Sequence, residues 1–213
     1  MIKIYSTAIL LLVLSGSGFA QKTEFGVQAG VNAFARYVRL DGKNYASNLK
    51  PGLQGGVNAQ IELTPAFFLQ PGLMIVSKGS AEENDQARVN VQYVEVPISL
   101  LHKSRLGNGK LVVGAGPYFA VAVDGNYSYK DSVGNRKVKF DNDISPEQAR
   151  SDMYLRRFDA GFNVLAGLEF ASKLFFQLNG QLGLLSTSPK FSGESYFYKQ
   201  KNIGVGCSLG YRF

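Results

Sequence analysis

From Glu24 to Tyr37 the chain alternates in polarity. One parity reads Phe25, Val27, Ala29, Val31, Ala33, Ala35 and Tyr37, and the other Glu24, Gly26, Gln28, Gly30, Asn32, Phe34 and Arg36. Successive side chains of an extended strand point to opposite faces, so this run predicts a strand with one apolar face and one small or polar face. Leu53 to Thr64 repeats the pattern, with Leu53, Val57, Ile61 and Leu63 set against Gln54, Asn58, Gln60 and Glu62. The other runs are Phe67–Lys78, Tyr93–His102, Leu111–Val123, Arg157–Phe170, Leu174–Leu185 and Asn202–Phe213. Most span about 10 to 14 residues, longer than the globular mode of roughly 5–6. A change of phase near Gln92 and Tyr93 marks a bulge or a strand end.

The links between runs alternate in length. Thr64–Ala66, Lys103–Lys110 and Ala171–Lys173 are short, whereas Val38–Gly52, Gly79–Gln92, Asp124–Arg156 and Ser186–Lys201 are long and polar. Strand, short turn, strand, long loop is the connectivity of an antiparallel meander. Eight such strands can close on themselves and leave no exposed edge. The predicted fold class is therefore all-β, an eight-stranded antiparallel up-and-down barrel. Gly26–Ala33 nearly recurs as Gly52–Ala59, which reads as two similar strands under one packing constraint and not as a solenoid repeat.

Alternation alone does not orient a barrel; the make-up of the polar rows does. A water-facing surface calls for many Lys and Glu, yet these rows are mostly Gly, Asn, Gln and Ser. Across the eight runs the charged residues are Glu24, Arg36, Glu62, Lys78, Glu95, Arg157, Asp159, Glu169 and Arg212, a small part of a chain with 23 Lys+Arg and 16 Asp+Glu. Small residues suit a crowded interior, and hydrocarbon accepts a continuous Phe, Leu, Val and Ala row. Closure also satisfies every backbone group there. The expected barrel spans a membrane, with short periplasmic turns, longer extracellular loops and both mature termini in the periplasm. Aromatics near run ends fit belts at the two interfaces: Phe67, Phe170, Phe175, Phe176, Tyr211 and Phe213 at the short-turn end, and Tyr37, Tyr118, Phe119, Tyr127, Tyr196 and Tyr198 toward the loops.

Composition and the first residues agree with that location. Lys3, the apolar stretch Ala8–Leu14 and Gly18-Phe19-Ala20 make a charged start, a short apolar core and a small-x-small cleavage site. That is the layout of a secretory signal peptide, too short for a spanning helix. Residues 1–20 are expected to be removed and 21–213 to form one barrel domain. With 45% hydrophobic residues the chain is not largely disordered. Cys207 is its single cysteine and His102 its single histidine, which removes disulfide frameworks, Cys-based zinc sites and histidine-rich metal sites. No metal, cofactor or catalytic residue is expected. The charge of +7 points to anionic lipopolysaccharide head groups beside the basic loops rather than to nucleic acid, for which no reader element is present.

The last run places Ile203, Val205, Cys207, Leu209, Tyr211 and Phe213 on one parity and ends on Phe. Leu209, Tyr211 and Phe213 resemble the C-terminal signal read by the outer-membrane insertion machinery. More broadly, the chain resembles the PorT-like group of outer-membrane β-barrel proteins common in Bacteroidota. The matching stretches are Phe25-Gly-Val-Gln-Ala-Gly-Val-Asn32, Leu69-Gln-Pro-Gly-Leu-Met74 with Ser77-Lys-Gly79, Tyr93-Val-Glu-Val-Pro97, Gly114-Ala-Gly-Pro-Tyr118, Phe158-Asp-Ala-Gly161 and Leu209-Gly-Tyr-Arg-Phe213. The resemblance implies a small barrel behind a signal peptide and, from the group's namesake, an accessory role in type IX protein secretion as part of a complex. Fold and function separate, so the fold carries over better than the role.

Eight charged or polar-row residues are the candidate site: Glu24, Arg36, Glu62, Lys78, Glu95, Asp159, Glu169 and Arg212. An unpaired charge inside a narrow barrel is costly, so these are expected to form a charge network that fills the lumen and sets register. Arg212 is expected to contact Glu24, Glu62 or Glu169. A solute path is the alternative, but eight strands leave room only for side chains. A lipid-modifying enzyme is a further alternative. His102 falls at the periplasmic end with Ser99 nearby, away from the outer leaflet where a Ser–His pair would act. Cys207 should face lipid. In Asp124–Arg156, Ser145-Pro146-Glu147 has the character of a helix start. Asp141, Asp143, Ser145 and Asp152 approximate a calcium loop that lacks its Gly at the sixth place. The expected role is that of a monomeric, non-enzymatic outer-membrane barrel with a structural, adhesion or assembly function.

Overall fold

In hydrocarbon an extended chain must find a backbone partner on each side, and a ring is the arrangement that gives every strand two. The computed structural model describes residues 22–40, 43–81, 87–129, 136–192, 194–195 and 199–213. The elements in chain order are β1 (Thr23–Leu40), β2 (Lys43–Ala46), β3 (Lys50–Glu62), β4 (Phe67–Ala81), β5 (Ala87–Leu106) and β6 (Gly109–Tyr129). They continue with β7 (Arg136–Lys137), β8 (Lys139–Phe140), β9 (Asp143–Ile144), helix α1 (Pro146–Ser151), β10 (Tyr154–Leu155) and β11 (Phe158–Glu169). β12 (Leu174–Gly183), β13 (Lys190–Phe191), β14 (Glu194–Ser195) and β15 (Lys199–Arg212) complete the set.

Eight of these form an antiparallel ring. β1 pairs β3, β3 pairs β4, β4 pairs β5 and β5 pairs β6. β6 then pairs β11, β11 pairs β12, β12 pairs β15, and β15 returns to β1. Chain neighbours pair throughout, as the alternating link lengths require. The expected signal peptide and Tyr196 and Tyr198 lie outside the described residues.

The two parities face opposite ways. Leu53, Val57, Ile75, Val164, Val205 and Leu209 project outward, each at least half exposed, and Tyr211 of the last strand and Phe213 just beyond it are exposed too. Gln54, Asn58, Gln60, Gln70, Asn163 and Gln181 on the opposite parity are buried. Outward aliphatics at this exposure form an apolar wall around an amide-lined interior, the inverse of a water-soluble barrel. Close approach inside the wall needs glycine at particular points. A Cβ on Gly30 would lie 1.9 Å from the Cys207 carbonyl oxygen, and one on Gly116 1.9 Å from that of Ile98.

Several expectations are corrected. β5 and β6 are 20 and 21 residues long, about twice the 9–11 that cross a bilayer, so this hairpin projects beyond the apolar band. The link expected at Lys103–Lys110 is really strand ending in a two-residue turn, Gly107-Asn108, with Gly107 at φ 57°. The register does shift between Gln92 and Tyr93, but the extra residue is on the partner strand, because Gln92 faces Asp124 and Tyr93 faces Ala122. Three aromatics placed in the interfacial belts point inward instead: Tyr118, Tyr127 and Phe175 are buried. Position along a strand sets height in the membrane, but parity sets which face a ring occupies, and these three share the lumen parity.

At the long-loop end the connections pack against the ring. Inward residues of the projecting hairpin, Val89, Val91, Tyr93 and Tyr127, pack in one cluster with Val138 and Leu155 from the β6–β11 connection. That connection is held by β8–β10 pairing and by β9 pairing β13 in the β12–β15 connection. The helix start read at Ser145 is present. Ser145 caps α1, accepting from the Gln148 amide while the Gln148 side chain accepts from its own.

The outward rows generate a depth-dependent prediction. Val164→Arg, in the middle of β11, should destabilise the barrel refolded in lipid vesicles by about 2–4 kcal/mol, and Phe170→Arg at the turn by at most about 1 kcal/mol. Urea midpoints of the heat-modifiable band check it; equal effects at both positions would remove the apolar wall from the account.

Candidate functional site

The lumen concentrates its charge in two layers. In the one nearer the long loops, β4 delivers Lys78, β5 Glu95 and β11 Asp159, all at most 1% exposed. Lys78 Nζ lies 2.7 Å from Glu95 Oε2 and 3.2 Å from Asp159 Oδ2. Asn202 donates to Asp159 at 2.9 Å, the Tyr118 hydroxyl at 3.3 Å, and Gln181 donates to Glu95 at 2.5 Å. Aromatic faces enclose the ammonium: Tyr118 at 4.1 Å, Phe34 at 5.2 Å and Tyr93 at 5.3 Å to the ring centres. A cation with its water removed is compensated here by two carboxylates and three ring quadrupoles. Arg36 is buried one residue pair away, opposite Asn202 in the β1–β15 register.

The second layer is near the short turns and is organised by Glu169 of β11. Lys103 Nζ reaches its Oε2 at 2.6 Å and Arg212 Nη2 its Oε1 at 3.3 Å. Gln60 donates to the same carboxylate at 3.0 Å and to Gln70 at 2.8 Å, and accepts from Lys103. Arg212 also donates to Asn58 and stacks its guanidinium 4.7 Å from the Phe175 ring centre. Between the layers amides interlock, with Gln54 donating to Asn179 and to Ser208, each at 2.9 Å. A cavity beside Gln60, Val112, Glu169 and Arg212 is ≈ 10 Å³, about the least that admits one water. Among the described residues, polar side chains of the lumen bridge strand to strand across the ring.

Of the eight candidate residues, Lys78, Glu95 and Asp159 meet in one layer, and Glu169 and Arg212 in the other. Glu24 is held at the rim by Lys22 at 3.1 Å. Glu62, at the end of β3, makes no ion pair among the described residues. The residue that sequence reasoning missed is Lys103, buried and central to the second layer. Its signal was available: it keeps the parity of Glu95, Ser99 and Leu101, and only the assumed strand end at His102 hid it.

Among the described residues the Ser–His candidates and the approximate calcium-loop residues do not come together. Ser99 is 1% exposed inside the lumen, where Asn163 donates to it at 3.4 Å, whereas His102 is exposed on the other face of β5 against Phe67, with ring centres 5.1 Å apart. No group of three or more His, Cys, Asp or Glu able to hold a metal exists among the described residues. The approximate calcium-loop residues are dispersed: Asp143 is in β9, Ser145 caps α1, and Asp152 pairs with Lys139 at 2.6 Å. That pair closes the loop cap at its surface. The Lys139 ammonium holds the Asp152 carboxyl below its ordinary 3.8, and Asp152 in turn raises Lys139 above 10.5.

Residues 19–188 match the model of a family described as the outer membrane protein beta-barrel domain. No curated protein sequence matches the chain. Among solved structures, the outer membrane protein OprG of Pseudomonas aeruginosa is 12% identical over 91% of this chain and 97% of its own, with a TM-score of 0.48. Ail, the attachment invasion locus protein of Yersinia pestis, in complex with the heparin analogue sucrose octasulfate, is 14% identical over 90% and 99%, with a TM-score of 0.44. Neisserial surface protein A is 11% identical over 89% and 97%, with a TM-score of 0.42.

Breaking the caged triad should cost far more than replacing it. Lys78→Met alone leaves two buried carboxylates and should destabilise by about 3–5 kcal/mol, while the triple variant with Glu95→Gln and Asp159→Asn should recover most of that loss. Denaturant midpoints of the three-member cycle test this; equal losses would mean that the charges do not act as a unit.

The surface pair gives a pH prediction. The depressed Asp152 contributes at pH above its ordinary 3.8 and is lost as pH falls through its lowered value, while the raised Lys139 contributes below 10.5 and is lost above its raised value. Hydrogen-exchange protection of the Lys139 and Asp141 amides, bonded to Met153 and Leu155 carbonyls, should therefore be flat between those limits and fall on acidification. Asp152→Asn should abolish the acid step.

Proposed function

The chain belongs to the outer membrane protein beta-barrel domain family, and from this premise we propose that it is a closed, non-conducting and non-enzymatic outer-membrane barrel. Its role is structural, adhesive or in assembly, exercised through the capped loop end and the short-turn rim. The carrying observation is that the lumen is filled. Two ion-pair layers and the amides between them occupy its length, and the β6–β11 and β12–β15 connections pack over its outer mouth. A pore of this family would need an aqueous column, and in the narrow eight-strand interior charged and amide side chains from opposite walls bond to one another.

In this reading the short turns face the periplasm and the long loops the exterior. Membrane lipid and lipopolysaccharide surround the outward rows, and Leu209, Tyr211 and Phe213 are presented on the outer face where the insertion machinery can read them. The non-enzymatic assignment rests on Ser99 and His102 occupying opposite faces of one strand. A rigid scaffold with a folded loop cap is a common way to hold recognition residues.

A second reading follows from the PorT-like motifs: an accessory factor of type IX protein secretion, working within a complex. It draws on the charged short-turn rim, where such a partner would dock. Affinity capture of the tagged chain from native outer membranes separates the two, because the accessory role requires secretion components at stoichiometric amounts.

The closed-lumen reading is tested in planar bilayers. The refolded chain, verified by heat-modifiable migration, should give no stepwise conductance at near-physiological salt. Discrete channel openings that scale with protein would overturn it.

A further inference from the structure

The end of the ring opposite the cap carries charge that its own carboxylates do not neutralise. A bowl of ≈ 620 Å³ opens there, with Lys22, Arg105, Lys110, Lys173 and Arg212 as its cations and Glu24 and Glu169 as its acids. Five against two leaves +3. Both acids are already engaged, Glu24 by Lys22 and Glu169 by Arg212 together with Lys103 at the floor. Arg105 and Lys110 are direct cross-strand partners beside the β5–β6 turn, each on the lumen parity of its strand. Neither makes an ion pair among the described residues. Like charges directly opposite each other destabilise a sheet; Lys110 also lies opposite Glu169 in the β6–β11 register, a carboxylate already bonded to Lys103 and Arg212. Arg212, 6% exposed, lies at the floor of the same bowl.

We propose that this bowl docks an acidic peptide segment of a periplasmic partner; the periplasmic side follows from the orientation proposed above. Charge complementarity selects an anion. The spacing selects a peptide over a bare oxyanion, because Arg105 and Lys110 flank the β5–β6 turn while Lys22 and Lys173 belong to other segments around the same bowl of ≈ 620 Å³. Carboxylates spaced along a flexible chain can meet these separated cations one by one. Binding of this kind is steered by long-range attraction and weakens as salt screens it.

The test uses the refolded chain in micelles and a fluorescein-labelled peptide of glutamates flanking one phenylalanine, read by anisotropy. The peptide should bind, its glutamine counterpart should not, and affinity should fall with added salt. Arg105→Gln with Lys110→Gln should weaken binding by about tenfold, while Lys199→Gln at the opposite end leaves it unchanged. Should the double variant fail to fold, Lys173→Gln in the turn is read in the same assay and should weaken binding. Equal binding of the glutamine peptide, or equal loss in the Lys199 variant, overturns the proposal. So does pyrophosphate or phosphatidylglycerol displacing the peptide at lower concentration than the unlabelled peptide does, since the site would then be one for phosphate. A conducting barrel that still binds the peptide sinks the closed-lumen reading alone, and a non-conducting one that ignores the peptide sinks this proposal alone.

Discussion

Unpaired backbone groups cannot be left in hydrocarbon, and closing eight strands into a ring is what satisfies them. The radius that follows from that closure decides most of what the interior can be. An eight-strand ring brings side chains from opposite walls within contact, so ionisable groups on the lumen parity either find partners or raise the cost of folding. Lys78, Glu95 and Asp159 come from three different strands and meet within 3.2 Å. The same narrowness explains the aromatic cage around Lys78 and the stacking of Arg212 on Phe175. The cations are held by rings as well as by carboxylates because burial takes them out of contact with solvent.

The ring differs at its two ends. At the loop end the β5–β6 hairpin outruns the apolar band, and its inward face would present Val89, Val91 and Tyr127 to water. The β6–β11 connection covers that face with Val138 and Leu155, and short strand pairings fasten it. Among the described residues nothing covers the mouth at the turn end, and the cations of the floor and rim outnumber the acids. Apolar burial closes one end and leaves the other as a charged recess, so recognition at the two ends must rest on different chemistry.

Alternation made the fold legible in advance. A period of two sustained over about a dozen residues defines a strand and its two faces without reference to anything distant. The near absence of Lys and Glu from the polar rows chose which face meets lipid. Phe34, an aromatic on the polar parity, was assigned inward on that basis and is fully buried beneath Lys78. Strand ends were less legible. His102 looked like a terminus because Lys103, Ser104 and Arg105 are polar, yet an inward position and a rim position both accept polar residues, and so β5 continues through Leu106. Tyr118 and Phe175 were misassigned for the complementary reason: an aromatic near a strand end suits a membrane interface, but it also suits a lumen that must shield a cation.

The sequence by itself determined the strand count, the order of short and long connections, the lipid-facing row and the set of residues that had to share an interior. These depend on the local period and on side-chain chemistry, which a single chain displays directly. Tertiary structure alone decided who meets whom: Lys78 with Glu95 and Asp159, Lys103 and Arg212 with Glu169, and Val138 and Leu155 over the mouth. Those pairings depend on the stagger of strands far apart in the chain. That stagger is set by the closure of the whole ring, a property no local stretch contains.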